Sequence, residues 1–100
     1  MENENYLKLY NVLLEDTNTD LYETLLLCLY IKKYKQYKKI IVTDTKDAEI
    51  LKFKDPKYVR YRRQHLKELH YIDYESGKGK KTTIRINPKI LEMIGELKNE

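Results

Sequence analysis

The sequence predicts a mostly helical α+β domain: a three-helix core, one short strand, a C-terminal β-hairpin, and an extra helix at each end. Three observations predict it. Residues 21–34 are apolar on nearly every side, which marks a central helix covered by others. Ile40-Ile-Val-Thr43 is a β-branched run, and residues 71–75 and 82–86 alternate around a glycine-containing turn. Asp55-Pro56 and Asn87-Pro88 each place a capping side chain before a proline suited to the first helical position.

The elements follow in order. Tyr6, Leu7, Leu9, Tyr10, Leu13 and Leu14 recur at three- and four-residue spacing, as on an amphipathic helix. Residues 15–20 form a polar loop, in which Thr19 or Asp20 caps the next helix and Glu23 completes a capping box with Asp20. The central helix over residues 21–34 carries Leu21, Tyr22, Leu25, Leu26, Leu27, Leu29, Tyr30 and Ile31. Five lysines at positions 32, 33, 35, 38 and 39 precede the short strand. Asp44 or Thr45 then caps a brief helix whose inward residues are expected to be Ala48, Ile50 and Leu51. A longer helix runs from Pro56 to about His70. The hairpin turns at Ser76-Gly-Lys-Gly79, and a last helix from Pro88 sets Ile90, Leu91, Ile94 and Leu97 on one face.

One hundred residues suffice for one core, and 41% hydrophobic content argues against full disorder despite 36% charged residues. The longest apolar run, residues 25–31, is far below the roughly 20 residues of a membrane span. The N-terminus carries acids where a secretory signal would carry positive charge, and a lone cysteine fits a reducing, cytoplasmic setting. Charge is segregated. Residues 1–23 carry −5, residues 24–91 carry +11 and residues 92–100 carry −2, within a net +4. A basic middle between acidic ends points to a polyanion site, although a solvated lysine surface has the same composition.

The order helix, strand, helix, helix, hairpin over residues 21–87 resembles the winged helix-turn-helix family. His65-Leu-Lys-Glu-Leu-His-Tyr-Ile72 is similar to the end of that family's recognition helix as it enters the wing. Two departures stand out: His70-Tyr71 replaces the usual glycine turn, and Arg62 stands where a small apolar residue is usual. Length and the lysine-, tyrosine- and isoleucine-rich composition look closest to two plasmid-borne groups. These are the N-terminal domains of plasmid replication initiators and the small accessory proteins that bind the transfer origin of clostridial conjugative plasmids. The resemblance implies a protein that binds double-stranded DNA at a plasmid origin beside a relaxase or replication initiator. A transcriptional repressor at an operator and a DNA-free protein-interaction module use the same fold and stay open.

Recognition helices of this type lie in the major groove. On a 100° wheel from Pro56, Val59, Leu66 and Leu69 form the buried face, while Lys57, Arg60, Tyr61, Gln64 and Glu68 lie opposite. Arginine bonds guanine and glutamine bonds adenine bidentately, which makes Arg60 and Gln64 the base-reading candidates. Lys57 sits near the helix N-terminus, where backbone amides attract phosphate. Arg63 is expected to swing outward to a phosphate, and Arg62 to point inward and pair with an acid or snorkel. Lys78, Lys80, Lys81 and Arg85 supply a cationic wing suited to phosphates or an adjacent minor groove. Which of helix and wing dominates is open, and residues 32–39 could be phosphate contacts or plain surface charge.

Nothing in the sequence composes a catalytic centre. Cys28 lies among leucines and reads as a buried thiol, and His65 and His70 are spaced too far around the helix to share a metal. No phosphate-binding glycine loop or carboxylate pair stands out, so no enzyme activity and no cofactor are expected. Apolar stripes on both terminal helices predict a homodimer reading two DNA half-sites.

Overall fold

A computed structural model describes residues 10–15, 17–75 and 81–93. Residues 10–15 are helical (α1). They are followed by α2 (Leu21–Tyr37), β1 (Ile40–Val42), α3 (Asp44–Leu51), α4 (Pro56–Glu68), β2 (Ile72–Asp73), β3 (Thr82–Ile86) and α5 (Pro88–Met93). The architecture is α+β, with a three-stranded antiparallel sheet in the order β1-β3-β2.

The predicted order of elements is observed, and the local chemistry explains most of the boundaries. Asp20 caps α2 by accepting from the Glu23 backbone N–H at 2.8 Å, while Glu23 Oε1 accepts from the Asp20 N–H at 3.1 Å. This reciprocal pair satisfies two of the donors that a helix start leaves open. Helix α2 runs three residues further than residue 34, because its tyrosines and lysines tolerate a helical backbone as well as the preceding leucines do. Thr43, and neither Asp44 nor Thr45, caps α3: its hydroxyl accepts from Lys46 N–H at 3.1 Å. Asp55 caps α4 with Pro56 in the first turn, as expected.

Three helices stop on a left-handed residue. Lys38 (φ 58°), Lys52 (φ 62°) and His70 (φ 66°) end α2, α3 and α4. At the end of α4, Tyr71 N–H reaches the Leu66 carbonyl at 3.0 Å and His70 N–H reaches that of Lys67 at 2.9 Å. This is a Schellman closure with histidine in the glycine position. His70-Tyr71 thus closes the helix without a glycine, at the cost of a left-handed backbone at His70.

The core joins both layers. Leu26, Leu27, Tyr30 and Ile31 of α2 pack with Leu66 of α4, with Ile40, Val42, Ile72, Ile84 and Ile86 of the sheet, and with Ile90 and Leu91 of α5. Leu13 of α1 is also buried. Register explains the sheet face: Ile40 opposes Ile84 and Ile72 opposes Ile86, all buried, while Asp73 opposes Arg85 on the exposed side. In α3 the inward positions differ from expectation. Ala48 is buried and Leu51 half-buried, but Ile50 is 48% exposed and the buried partner of Ala48 is Asp47. The apolar wheel missed this because a carboxylate occupies a core-facing position.

Candidate nucleic-acid interface

Helix α4 exists because Asp55 and Pro56 start it and a stripe of Val59, Arg63 and Leu66 anchors it. That stripe recurs at i, i+4 and i+7, so it forms one continuous buried face toward α2 and α3. The opposite face carries Lys57, Arg60, Tyr61, Gln64 and Glu68, all exposed as expected. Asp55 Oδ1 accepts from the Lys57 backbone N–H at 3.0 Å, and Lys57 Nζ lies 5.7 Å from the Tyr58 ring. Tyr61 is the most exposed aromatic of the helix at 64%. Gln64 donates to Glu68 and accepts from the Tyr74 hydroxyl, both at 3.4 Å.

Of the two neighbouring arginines, Arg63 departs from its expected outward place. Arg63 is the inward one, only 3% exposed, and Arg62 lies at the helix edge, where Nη1 meets Asp20 Oδ2 and stands 3.8 Å from Glu23 Oε2. Arg63 is therefore withdrawn from the set of phosphate contacts. A 100° step from Val59 puts Arg63 about 40° away, at the edge of the stripe, from which a long side chain can turn either way. The acid partner expected for Arg62 is present, and its guanidinium also stands 5.4 Å from the Tyr22 ring.

Burial of Arg63 is matched by a polar network that the sequence reading did not contain. Its Nε donates to the Tyr30 hydroxyl at 3.0 Å, Nη1 to Asp44 Oδ1 at 2.5 Å and Nη2 to Asp47 Oδ2 at 3.0 Å. Tyr30 in turn donates to Asp47 Oδ2 at 2.6 Å. Helices α2, α3 and α4 are thus tied at one point inside the core. Burial raises the pKa of both Tyr30 and Asp47, while the hydrogen bonds and the Arg63 charge partly restore the Asp47 carboxylate. Burial works against the Arg63 charge, but contacts with Tyr30 and Asp44 outweigh it and leave the guanidinium firmly protonated. Asp47 Oδ1 is buried with no hydrogen-bond partner among the described residues. The sequence signals for the network were Tyr30 on the predicted core face of α2, Arg63 flanking the buried stripe of α4, and Asp44 and Asp47 one helical turn apart on α3.

The network reaches the surface through Asp44. Its second oxygen, Oδ2, accepts from Arg60 Nη1 at 3.0 Å, and Arg60 remains 59% exposed. A second acidic group lies at the start of α2. His65 sits at the edge of the buried face, as expected, with Nδ1 against Glu23 Oε2, and Glu23 is itself 4% exposed. Acids of α2 and α3 therefore neutralise much of the α4 charge, and the outward face presents Lys57, Arg60, Tyr61 and Gln64.

The hairpin adjoins the C-terminal half of α4. Lys67 Nζ donates to the Tyr74 carbonyl at 2.7 Å and stands 4.7 Å from its ring. Arg85 is exposed beside Thr83 and pairs with Asp73 across the strands at 3.1 Å, which holds the Asp73 carboxyl below the usual range. Lys81 is exposed, while Lys78 and Lys80 lie outside the described residues. Ile94 and Leu97, invoked for a dimer face, also lie outside them, as do Tyr6, Leu7 and Leu9.

Cys28 is buried at 0% exposure, and desolvation pushes its thiol up to about 12. Such a thiol is neither a nucleophile nor a ready metal ligand. Among the described residues no cluster of three or more His, Cys, Asp or Glu is placed to hold a metal, and no helix is long and apolar enough to cross a membrane. No protein-family profile, no curated protein and no solved structure matches this chain.

Proposed function

We propose that the chain is a winged helix-turn-helix protein that binds double-stranded DNA sequence-specifically, as an accessory protein of a mobile element. One observation carries the reading. In the order α2-β1-α3-α4-β2-β3, the helix that follows a short turn presents an outward row of Lys57, Arg60, Tyr61 and Gln64, and β1 closes the hairpin sheet against β3. The only acid in that outward row, Glu68, comes at its end. A positively charged helix with a base-reading side chain on successive turns fits a major groove. The contacts of Tyr74 with Gln64 and Lys67 make the root of the hairpin continuous with this face. Lys81 and Arg85 then lie where a wing would meet the backbone or a minor groove, and the sequence adds Lys78 and Lys80 in the connection before them.

On this reading the target is a plasmid origin of transfer or replication, the protein partner is a relaxase or replication initiator, and the protein acts in the cytoplasm as a homodimer. No catalytic step or cofactor is assigned. Selection from a random-sequence duplex pool, followed by binding to the selected site across a salt series, tests it. A defined site with steep salt dependence is expected, and its position beside a nick site rather than a promoter separates origin from operator. Absence of any enriched sequence, together with salt-insensitive or undetectable duplex binding, would overturn the reading.

A further inference from the structure

We propose that Asp44 is a positioning residue for base recognition: it holds the Arg60 guanidinium in one orientation, so that the free edge of Arg60 reads a base. The inference rests on the DNA-binding reading of α4.

The geometry is a relay from core to surface. Asp44 is the first residue of α3, and its two oxygens serve different arginines: Oδ1 takes Arg63 Nη1 at 2.5 Å and Oδ2 takes Arg60 Nη1 at 3.0 Å. Arg63 cannot move, because Tyr30 and Asp47 hold its Nε and Nη2 inside the core. The Asp44 carboxylate is therefore fixed on one side by a buried cation, and it fixes an exposed one on the other. A free arginine samples many rotamers and loses that freedom on binding, at a cost that weakens every contact it makes. Arg60 is spared much of that loss. Its pair with Asp44 uses Nη1, and the described residues offer no partner to its Nε and Nη2. That remaining edge carries two parallel N–H donors, the pattern that matches N7 and O6 of guanine.

An acid beside a DNA-facing arginine has a simpler expected effect, which is to repel phosphate. The two roles predict opposite results for one substitution. Removal of a repelling charge strengthens binding to every sequence alike. Removal of a positioning group weakens the selected site while non-specific binding stays or improves.

The experiment uses the full chain, the duplex that it selects from a random pool, and singly substituted versions of that duplex. For Asp44→Asn, discrimination at the base read by Arg60 should fall by about tenfold, and binding to unrelated duplex should rise by about threefold. In an Arg60→Ala background the same substitution should leave discrimination unchanged, since Asp44 would have nothing left to position. Circular dichroism and a thermal melt check the fold. Should Asp44→Asn fail to fold, Asp44→Glu carries the test: it keeps the charge, displaces the carboxylate by one methylene, and should lose discrimination with no gain in non-specific affinity. Equal strengthening on all duplexes with discrimination intact overturns the Asp44 role and leaves the DNA-binding reading standing. A wild-type protein without any base preference overturns both.

Discussion

Replacement of Arg63 by alanine removes a guanidinium that is 3% exposed and that donates to Tyr30, Asp44 and Asp47. Asp44 is 26% exposed and can exchange its partner for water. Asp47 cannot, at 1% exposure with Oδ1 already lacking a partner among the described residues. Loss of one member of a buried ion pair costs about 3–5 kcal/mol, mostly from the charge left behind. With a urea slope of about 1–1.5 kcal/mol/M for a chain this small, the unfolding midpoint should fall by about 2–5 M. Acid should narrow the deficit. Asp47 already has a pKa raised above 3.8 by burial, and loss of the facing cation raises it further. A group whose folded pKa exceeds its unfolded value contributes stability at low pH and loses it as pH rises through the folded value. The variant should therefore recover part of its loss between pH 7 and the region just above 3.8, and Arg63→Ala with Asp47→Asn should recover part of it at pH 7. Urea melts followed by circular dichroism at both pH values measure this. A loss under about 1 kcal/mol at pH 7, or a deficit that grows on acidification, would refute the account of a buried ion pair.

Three further outcomes follow from the same geometry. Arg60→Ala should cost about 1–3 kcal/mol on the selected duplex and relax base preference, whereas Lys81→Ala should weaken all duplexes similarly and lower the salt slope by about 1; competition binding with identical profiles for the two variants would contradict these roles. Cys28, with its thiol near 12 and no exposure, should resist a thiol reagent at pH 8 until denaturant is added, and labelling of the native protein at the rate of a free thiol would show that the core around α2 opens. His70→Gly should stabilise the fold by about 1 kcal/mol by relieving a left-handed backbone; a lower melting temperature would mean that the histidine side chain offsets that strain.

What the sequence made legible was whatever has a periodic or local signature. The apolar belt of α2, the Asp20–Glu23 box, Asp55-Pro56 and the alternation of residues 82–86 all depend on neighbours within a turn or two, and all appear at or near their expected places. The outward row of α4 was legible for the same reason. Arg63 and Asp47 were not, because a wheel weighted by hydrophobicity sends charged residues outward, and only their mutual neutralisation across two helices permits burial. The neutralisation of Arg62 was foreseen as a type of contact, but its partner Asp20 is 42 positions away and no local pattern names it. The cap of α3 shifted by one residue because Thr43, Asp44 and Thr45 are all competent caps, and the end of β1 settles which one has the extended backbone.

The left-handed helix ends have a consequence for how this chain can vary in length. They turn the chain within short connections: two residues from α2 to β1, four from α3 to α4 and three from α4 to β2; the strand-to-helix joints, β1 to α3 and β3 to α5, are one residue each. Each of these joints has little slack, so an inserted residue would rotate or shift the element that follows it. The connection from β2 to β3 is the exception at eight residues. Growth or trimming there would alter the length of the hairpin while leaving α4 in place. Among the described elements this is thus the joint where length can change, and variants made there can differ in hairpin length without refolding the helices.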